Sequence, residues 1–194
     1  MTPSTPTAPI ETGPAADCAP VRVSPWLIQM ARVRVTAGFI VAVAAFWFAR
    51  PSWVSLGVGA VVGLAGEAVR CWASGHLEKG LEVTNSGPYR FSRHPLYVGS
   101  SLLGLGFAGA SRQPLVVALV VLYLGVWLSV AARLEEATLR AKFGDAYDRY
   151  AGGVATPTPR RFSFARARRN GELQAGLGLV AALALLAVKI VTGD

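Results

Sequence analysis

Cysteine, histidine and charge are all scarce in this chain. Its 194 residues include two cysteines and two histidines, and only 15% are charged, where a soluble domain carries about a quarter. Cys18 sits in a Pro/Ala/Thr-rich leader and Cys71 inside an apolar run. That placement excludes a disulfide framework and a metal-ligand spacing, so no metal is expected. Residues 1–24 lack a basic stretch followed by an apolar core, so they read as a disordered tail rather than a secretory signal. No internal repeat or heptad pattern is present. The net charge of +8 comes without any recognisable nucleic-acid-binding module, and no nucleic-acid partner is expected.

What is there is hydrophobic sequence in long runs. Hydrophobic residues make up 53% of the chain, and the mean hydropathy is +0.43. These values point to an integral, multi-pass membrane protein with residues 25–194 as one membrane-embedded domain. The first span is expected over 33–49 and the second from Trp53 to Ala73. Gly59 and Gly63, four residues apart, permit close helix packing. Glu67 and Arg70 fall on one face of the second span, where each charge costs roughly 2.5–3.5 kcal/mol to insert. They pair with each other near the interface, or their face closes a pocket. Tyr97–Ala110 and Leu115–Ala132 form a helical hairpin around the turn Ser111-Arg112-Gln113-Pro114, with small residues at Gly99, Ser100, Gly104 and Ala108 for packing. Residues 133–150 mix charges and aromatics, as in a helix along the membrane surface broken at Gly144, with Tyr147 and Tyr150 on one face. A Pro-rich linker and the basic run 160–169 precede a fifth span over 173–191. The fold expected is therefore an all-α polytopic bundle of about five transmembrane helices.

Basic residues cluster at 22–34, 79–93 and 133–169, while the other side keeps only Arg50, Arg112 and the neighbourhood of Lys189. That asymmetry puts the N-terminus in the cytoplasm and both polar segments, 75–96 and 133–169, on one face. Ala/Gly/Val-rich spans point to a bacterial inner membrane. The stretch from Gly87 to Gly99, GPYRFSRHPLYVG, is the polar element around which the apolar runs are arranged. Pro95 suits the first turn of a helix, with His94 at its cap, so unpaired backbone N–H groups point back toward Arg93 and His94. Such an arrangement suits a polar cofactor bearing a carboxylate or hydroxyls. The chemistry candidates are Tyr89, Arg93, His94 and Tyr97 on one segment and Arg133, Glu135 and Glu136 on the other. A capping or interfacial histidine and a solvated acidic pair explain these residues singly. Together on one side they describe a polar ligand site at the inner interface.

The ordered motifs Arg70-Cys-Trp-Ala73, Val83-Thr84-Asn-Ser-Gly87-Pro-Tyr89, Arg93-His94-Pro95-x-Tyr97-x-Gly99 and Glu135-Glu136-x-x-Leu139-x-x-x-Phe143-Gly144-x-x-Tyr147-x-x-Tyr150 resemble the isoprenylcysteine carboxyl methyltransferase and phospholipid methyltransferase superfamily of integral membrane enzymes. The resemblance covers residues 57–161. It implies S-adenosylmethionine as methyl donor and a lipid or lipophilic small molecule as acceptor, whether a prenylcysteine-like carboxylate, a lipid amine or a thiol. It also implies a cofactor pocket at the cytoplasmic face, with Val83, Thr84, Tyr89, His94, Pro95, Leu96, Tyr97 and Glu135 around the cofactor and Arg133 and Glu136 as catalytic residues. Family members carry an acceptor-orienting arginine about one turn before the acidic pair, which falls here near Ala131. Arg133 is two residues further on, or roughly 200° around a helix, so it does not simply inherit that role. Two other readings fit a protein of this shape: an NADPH-dependent sterol or steroid-type membrane reductase, against which Leu96 and Ser100 count, and a non-catalytic lipid-binding protein, against which the retained His94 and Glu135 count.

Overall fold

The computed structural model describes residues 25–193; the expected tail over 1–24, Cys18 included, lies outside them. Among the described residues there are seven α-helices and no strand. They are α1 (Pro25–Phe48), α2 (Trp53–Ser74), α3 (Pro95–Ser111), α4 (Pro114–Phe143), α5 (Asp145–Ala151), α6 (Phe164–Arg169) and α7 (Glu172–Thr192), with a 3-10 turn at Gly87–Arg90.

Three of them, α2, α4 and α7, are long and apolar enough to cross a membrane. Of the other two expected spans, α1 has 24 residues and is apolar over Thr36–Phe48. Helix α3 has 17 residues, about 25 Å at 1.5 Å per residue against a hydrocarbon core of about 30 Å. The hairpin forms as expected: Arg112 in the left-handed region (φ 55°) and Gln113 link α3 to α4, whose first residue is Pro114.

Helices α2 and α3 form the tightest seam of the bundle. A side chain at Gly106 would collide with the backbone of Gly59 and Gly63, and one at Gly66 with the backbone of Gly99 and Leu103. Lipid tails are as apolar as the helices they surround, so such van der Waals contact between backbones is a main source of association in a bilayer. One half-buried polar group reinforces it. Arg70 on α2 donates to Ser100 on α3 (2.6 Å) and to Glu172 at the start of α7 (3.0 Å), while Glu67 lies 3.9 Å from the Arg70 Nε. The Glu67–Arg70 pair is thus a three-helix brace, and neither residue lines the polar cavity described below. At the opposite end, Lys189 Nζ caps α1 through the Phe46 and Trp47 carbonyls at 3.1 and 2.8 Å.

The expected surface helix over 133–150 is corrected by the structure. Helix α4 continues without a break through Arg133 to Phe143, and only Gly144, at φ 48° and ψ −125°, turns the chain into the short α5. Nothing in 133–143 breaks a helix, so the last turns of α4 carry their charges on past the apolar part as one rod.

Gly106→Ala is expected to lower the melting temperature of the detergent-purified protein by several degrees, since backbone on both sides must shift. Gly109→Ala, with no atom within 4 Å of its new methyl, is expected to leave it unchanged or raise it slightly. Parallel thermal unfolding of the two variants checks the pair.

Candidate functional site

The polar site lies where the 75–94 loop, the start of α3, the end of α4 and the segment 147–170 converge. His94 is the residue before α3 and Pro95 its first residue, as the missing proline N–H favours. The His94 Nε2 lies 3.0 Å from Glu136 Oε1 on α4, Arg93 lies 3.6 Å from the same oxygen, and the imidazole stacks on Tyr97 with centroids 5.3 Å apart. Tyr97 in turn donates its hydroxyl to Glu135 Oε2 at 2.7 Å. Residues 93–97 and 135–136, separated by the whole hairpin in sequence, therefore meet side chain to side chain.

In the other wall, Thr84 Oγ1 accepts the Glu78 N–H (3.2 Å), and the 3-10 turn presents Tyr89, which is buried. Tyr150 fixes that turn by donating to the Tyr89 carbonyl at 2.8 Å. The basic run finds specific partners: Arg160 pairs with Glu82, and Arg166 with Glu78 at 2.6 Å. Asn85 clips the Pro-rich linker through Thr156 and Thr158 at 2.7 and 2.8 Å, and Asn170 donates to the Ser74 and Leu77 carbonyls at 2.9 and 3.0 Å.

These elements enclose a cavity of about 560 Å³, within the range of small-molecule sites. Of the residues expected around a cofactor, Val83, Thr84, Tyr89, Leu96, Tyr97 and Glu135 line it. His94 and Pro95 do not; His94 stands behind Tyr97 and Glu135. Glu136 is likewise behind the wall, bound to His94, and Arg133 is exposed off the lining. Ala131 does line the cavity, so the α4 face that would present an arginine there presents a methyl group. Sequence reasoning missed Arg34 of α1, Glu78, Lys142 and Asn170. Glu78 carried a signal, as an acid in a loop facing a chain with far more base than acid; Arg34 carried none beyond its place at a span's edge.

Burial sets the protonation of the wall. It pushes the Tyr89 phenol well above its ordinary value, with the Glu135 charge adding to it, and pushes Tyr150 up to about 12, with Tyr147 adding. Burial raises Tyr147 as well. All three stay neutral at physiological pH and present aromatic faces and hydroxyls. The Tyr147 hydroxyl is buried and has no hydrogen-bond partner among the described residues, an unmet group in the wall of a cavity. The Glu78 carboxyl is held below its ordinary value, chiefly by its hydrogen bond to Arg166.

A second cavity, also of about 560 Å³, lies in the apolar part of the bundle between α1, α3, α4 and α7, lined by Ala42, Phe46, Leu103, Phe107 and Leu183 among others. Tyr123 in its wall donates to the carbonyl of Arg34, which lines the polar cavity (3.2 Å). A polar and an apolar cavity thus approach each other at α1.

An all-helical integral membrane protein with a polar cavity at one end of its bundle is the class that the fold and site define. A family model described as phospholipid methyltransferase matches residues 33–146. That is more than half of the chain, which therefore belongs to this family of membrane methyltransferases. The match takes in most of α1, which the resemblance read from motifs left out, and ends before Tyr147. No curated protein and no solved structure matches the chain.

Because its folded value is depressed, the Glu78 carboxylate contributes stability above its ordinary value of 4.5. That contribution is lost as the pH falls below this value and through the lower folded one. The melting temperature of the wild type is expected to fall over that acid range, and Glu78→Gln to start lower at neutral pH and show a flatter acid profile. Melting curves at successive pH values check it.

Proposed function

We propose that this protein transfers a methyl group from S-adenosylmethionine to an acceptor carried on a lipid, of the phospholipid kind that the family's description names. The observation that carries the proposal is the meeting of His94, Tyr97, Glu135 and Glu136 beside a cavity that holds both signs of charge. The donor set suits the cofactor. Its ammonium and sulfonium call for carboxylates and aromatic faces, which Glu135, Glu78, Tyr89, Tyr97 and Tyr150 provide, and its carboxylate calls for cations or donors such as Lys142, Arg34 and the Tyr147 hydroxyl. When bound, S-adenosylmethionine supplies an electrophilic methyl group for an in-line displacement.

The chain's own contribution is then positioning and exclusion of water. Glu135 holds the polar end of the cofactor, with Tyr97 fixing its carboxylate. Val83, Thr84, Tyr89 and Leu96 form the remaining contact surface. His94 and Glu136 act through Tyr97 and Glu135 as positioning residues, since neither lines the cavity, and Pro95 sets the start of the helix that carries Tyr97. Arg133 takes no part in holding the cofactor. The apolar cavity next to Arg34 receives the hydrocarbon part of the acceptor, and the cytoplasm is the compartment that supplies the donor.

The first test is thermal unfolding of the detergent-purified protein with S-adenosylmethionine, its demethylated product and NADPH added separately. Ligand at a hundred times its dissociation constant stabilises by about 2.7 kcal/mol. A shift is expected with the first two and not with NADPH; a shift with NADPH alone would replace this reading by that of a reductase. Glu135→Gln is expected to abolish the shift and Arg133→Ala to keep it, and the reverse result would sink the assignment of the polar end.

Ala42→Trp, which narrows the apolar cavity, is expected to raise KM for a lipid acceptor several-fold while the cofactor-induced shift stays. Radiolabelled methyl transfer into added phospholipid, measured over a range of lipid concentrations, reads that change.

A further inference from the structure

Helices α2, α6 and α7 enclose a third cleft, of about 410 Å³, that shares no residue with the polar cavity. Two carboxylates and one guanidinium meet in its inner wall. Glu172 is more than nine-tenths buried, and its Oε1 binds Arg70 at 3.0 Å while its Oε2 has no hydrogen-bond partner among the described residues. Glu67 is the second carboxylate; its Oε2 is buried, 3.9 Å from Arg70 Nε, and likewise without a hydrogen bond. Arg70 spends a further N–H on Ser100. With both carboxylates ionised the inner wall would hold one negative charge more than Arg70 neutralises, at the edge of a hydrocarbon core where uncompensated charge is expensive and calls for a cationic partner.

The outer wall says what would neutralise it. Leu64, Leu173, Leu177 and Val180 line the cleft and are 49–69% exposed, so in a bilayer they face lipid and the cleft opens sideways. Arg168 stands exposed at its rim. From inside outward the order is carboxylates, then apolar wall, with a cation at the rim. A hydrated inorganic cation has no use for the apolar wall, and an anionic lipid would meet the carboxylates.

We propose that this cleft binds a zwitterionic phospholipid, with its ammonium between Glu67 and Glu172, its phosphate at Arg168 and its tails along α2 and α7. This reading does not rest on the methyl-transfer reaction. Glu67 lies within the family match and Glu172 and Arg168 beyond it, so the cleft is completed by the C-terminal helices.

Native mass spectrometry of the full chain, with phosphatidylethanolamine, phosphatidylcholine and phosphatidylglycerol of the same acyl composition, tests the proposal. The two ammonium lipids are expected to be retained about tenfold over phosphatidylglycerol, a difference of about 1.4 kcal/mol. Glu67→Gln is expected to bring their retention down to that of phosphatidylglycerol, with the S-adenosylmethionine-induced thermal shift unchanged. Ala68→Phe fills the cleft from an exposed position without touching the ion pairs, and is expected to do the same; it decides the matter if the glutamate variant does not fold. Equal retention of all three lipids would overturn the proposal, as would wild-type retention in Ala68→Phe. So would a Glu67→Gln protein that gains stability while keeping its lipids, because the carboxylate would then hold a proton and not a ligand.

Discussion

A charge placed at the edge of hydrocarbon must be paired, and the end of the bundle that bears the site is built by meeting that requirement repeatedly. Arg70 meets Glu172 and Ser100, Arg160 meets Glu82, Arg166 meets Glu78, and Arg93 and His94 meet Glu136. Each pair joins elements distant in sequence, so the pairing also fixes the tertiary arrangement. The individual energies are modest where water reaches the pair. Their collective effect is geometric, because removing one partner leaves the other desolvated without compensation. The polar cavity lies between these braces, and Glu78, Glu82 and Arg93 belong both to them and to its lining.

That cavity would be poorly defined on mobile helices, and the α2–α3 seam explains why it is not. Backbone contact through Gly59, Gly63 and Gly66 on one side and Gly99 and Gly106 on the other leaves little freedom for one helix to slide on the other. The 75–94 loop leaves the end of α2 and returns to the start of α3, so both its ends are held by the same seam. His94 and Tyr97, at the beginning of α3, inherit that rigidity and hand it to Glu136 and Glu135 on α4. The chain from glycine spacing to carboxylate position is continuous.

The parts of this that the amino-acid sequence showed were those with local causes. Pro95 as the first residue of α3, the Ser111–Pro114 turn, the small residues of α2 and α3 and the limits of α2 all follow from proline, glycine and hydropathy acting over a few residues. The break at Gly144 was legible too, whereas the continuation of α4 to that point was not. Charged residues at 133–142 look like a change of element, although charge does not stop a helix. Pairings across the fold left no local trace. Glu172 appeared only as the residue before a span, and Arg160 and Arg166 appeared as members of a basic run whose acids lie in another loop. Arg34 reaches the cavity because α1 packs on α4, a contact no periodicity announces.

The boundary of the family match at residue 146 runs through the cavity wall. Within the matched region lie His94, Tyr97, Glu135 and Glu136, which meet beside the cavity, and Val83 and Thr84. Beyond it lie Tyr147, Tyr150 and Asn170, which close the cavity, and Arg160 and Arg166, which hold the 75–94 loop through Glu82 and Glu78. Of these, Tyr147 and Tyr150 belong to the proposed cofactor contacts, whereas Asn170 and the bracing arginines can change their side chains without touching the donor. The C-terminal segment thus has two structural duties in one stretch, since it supplies part of the cavity wall and the arginines that brace the 75–94 loop.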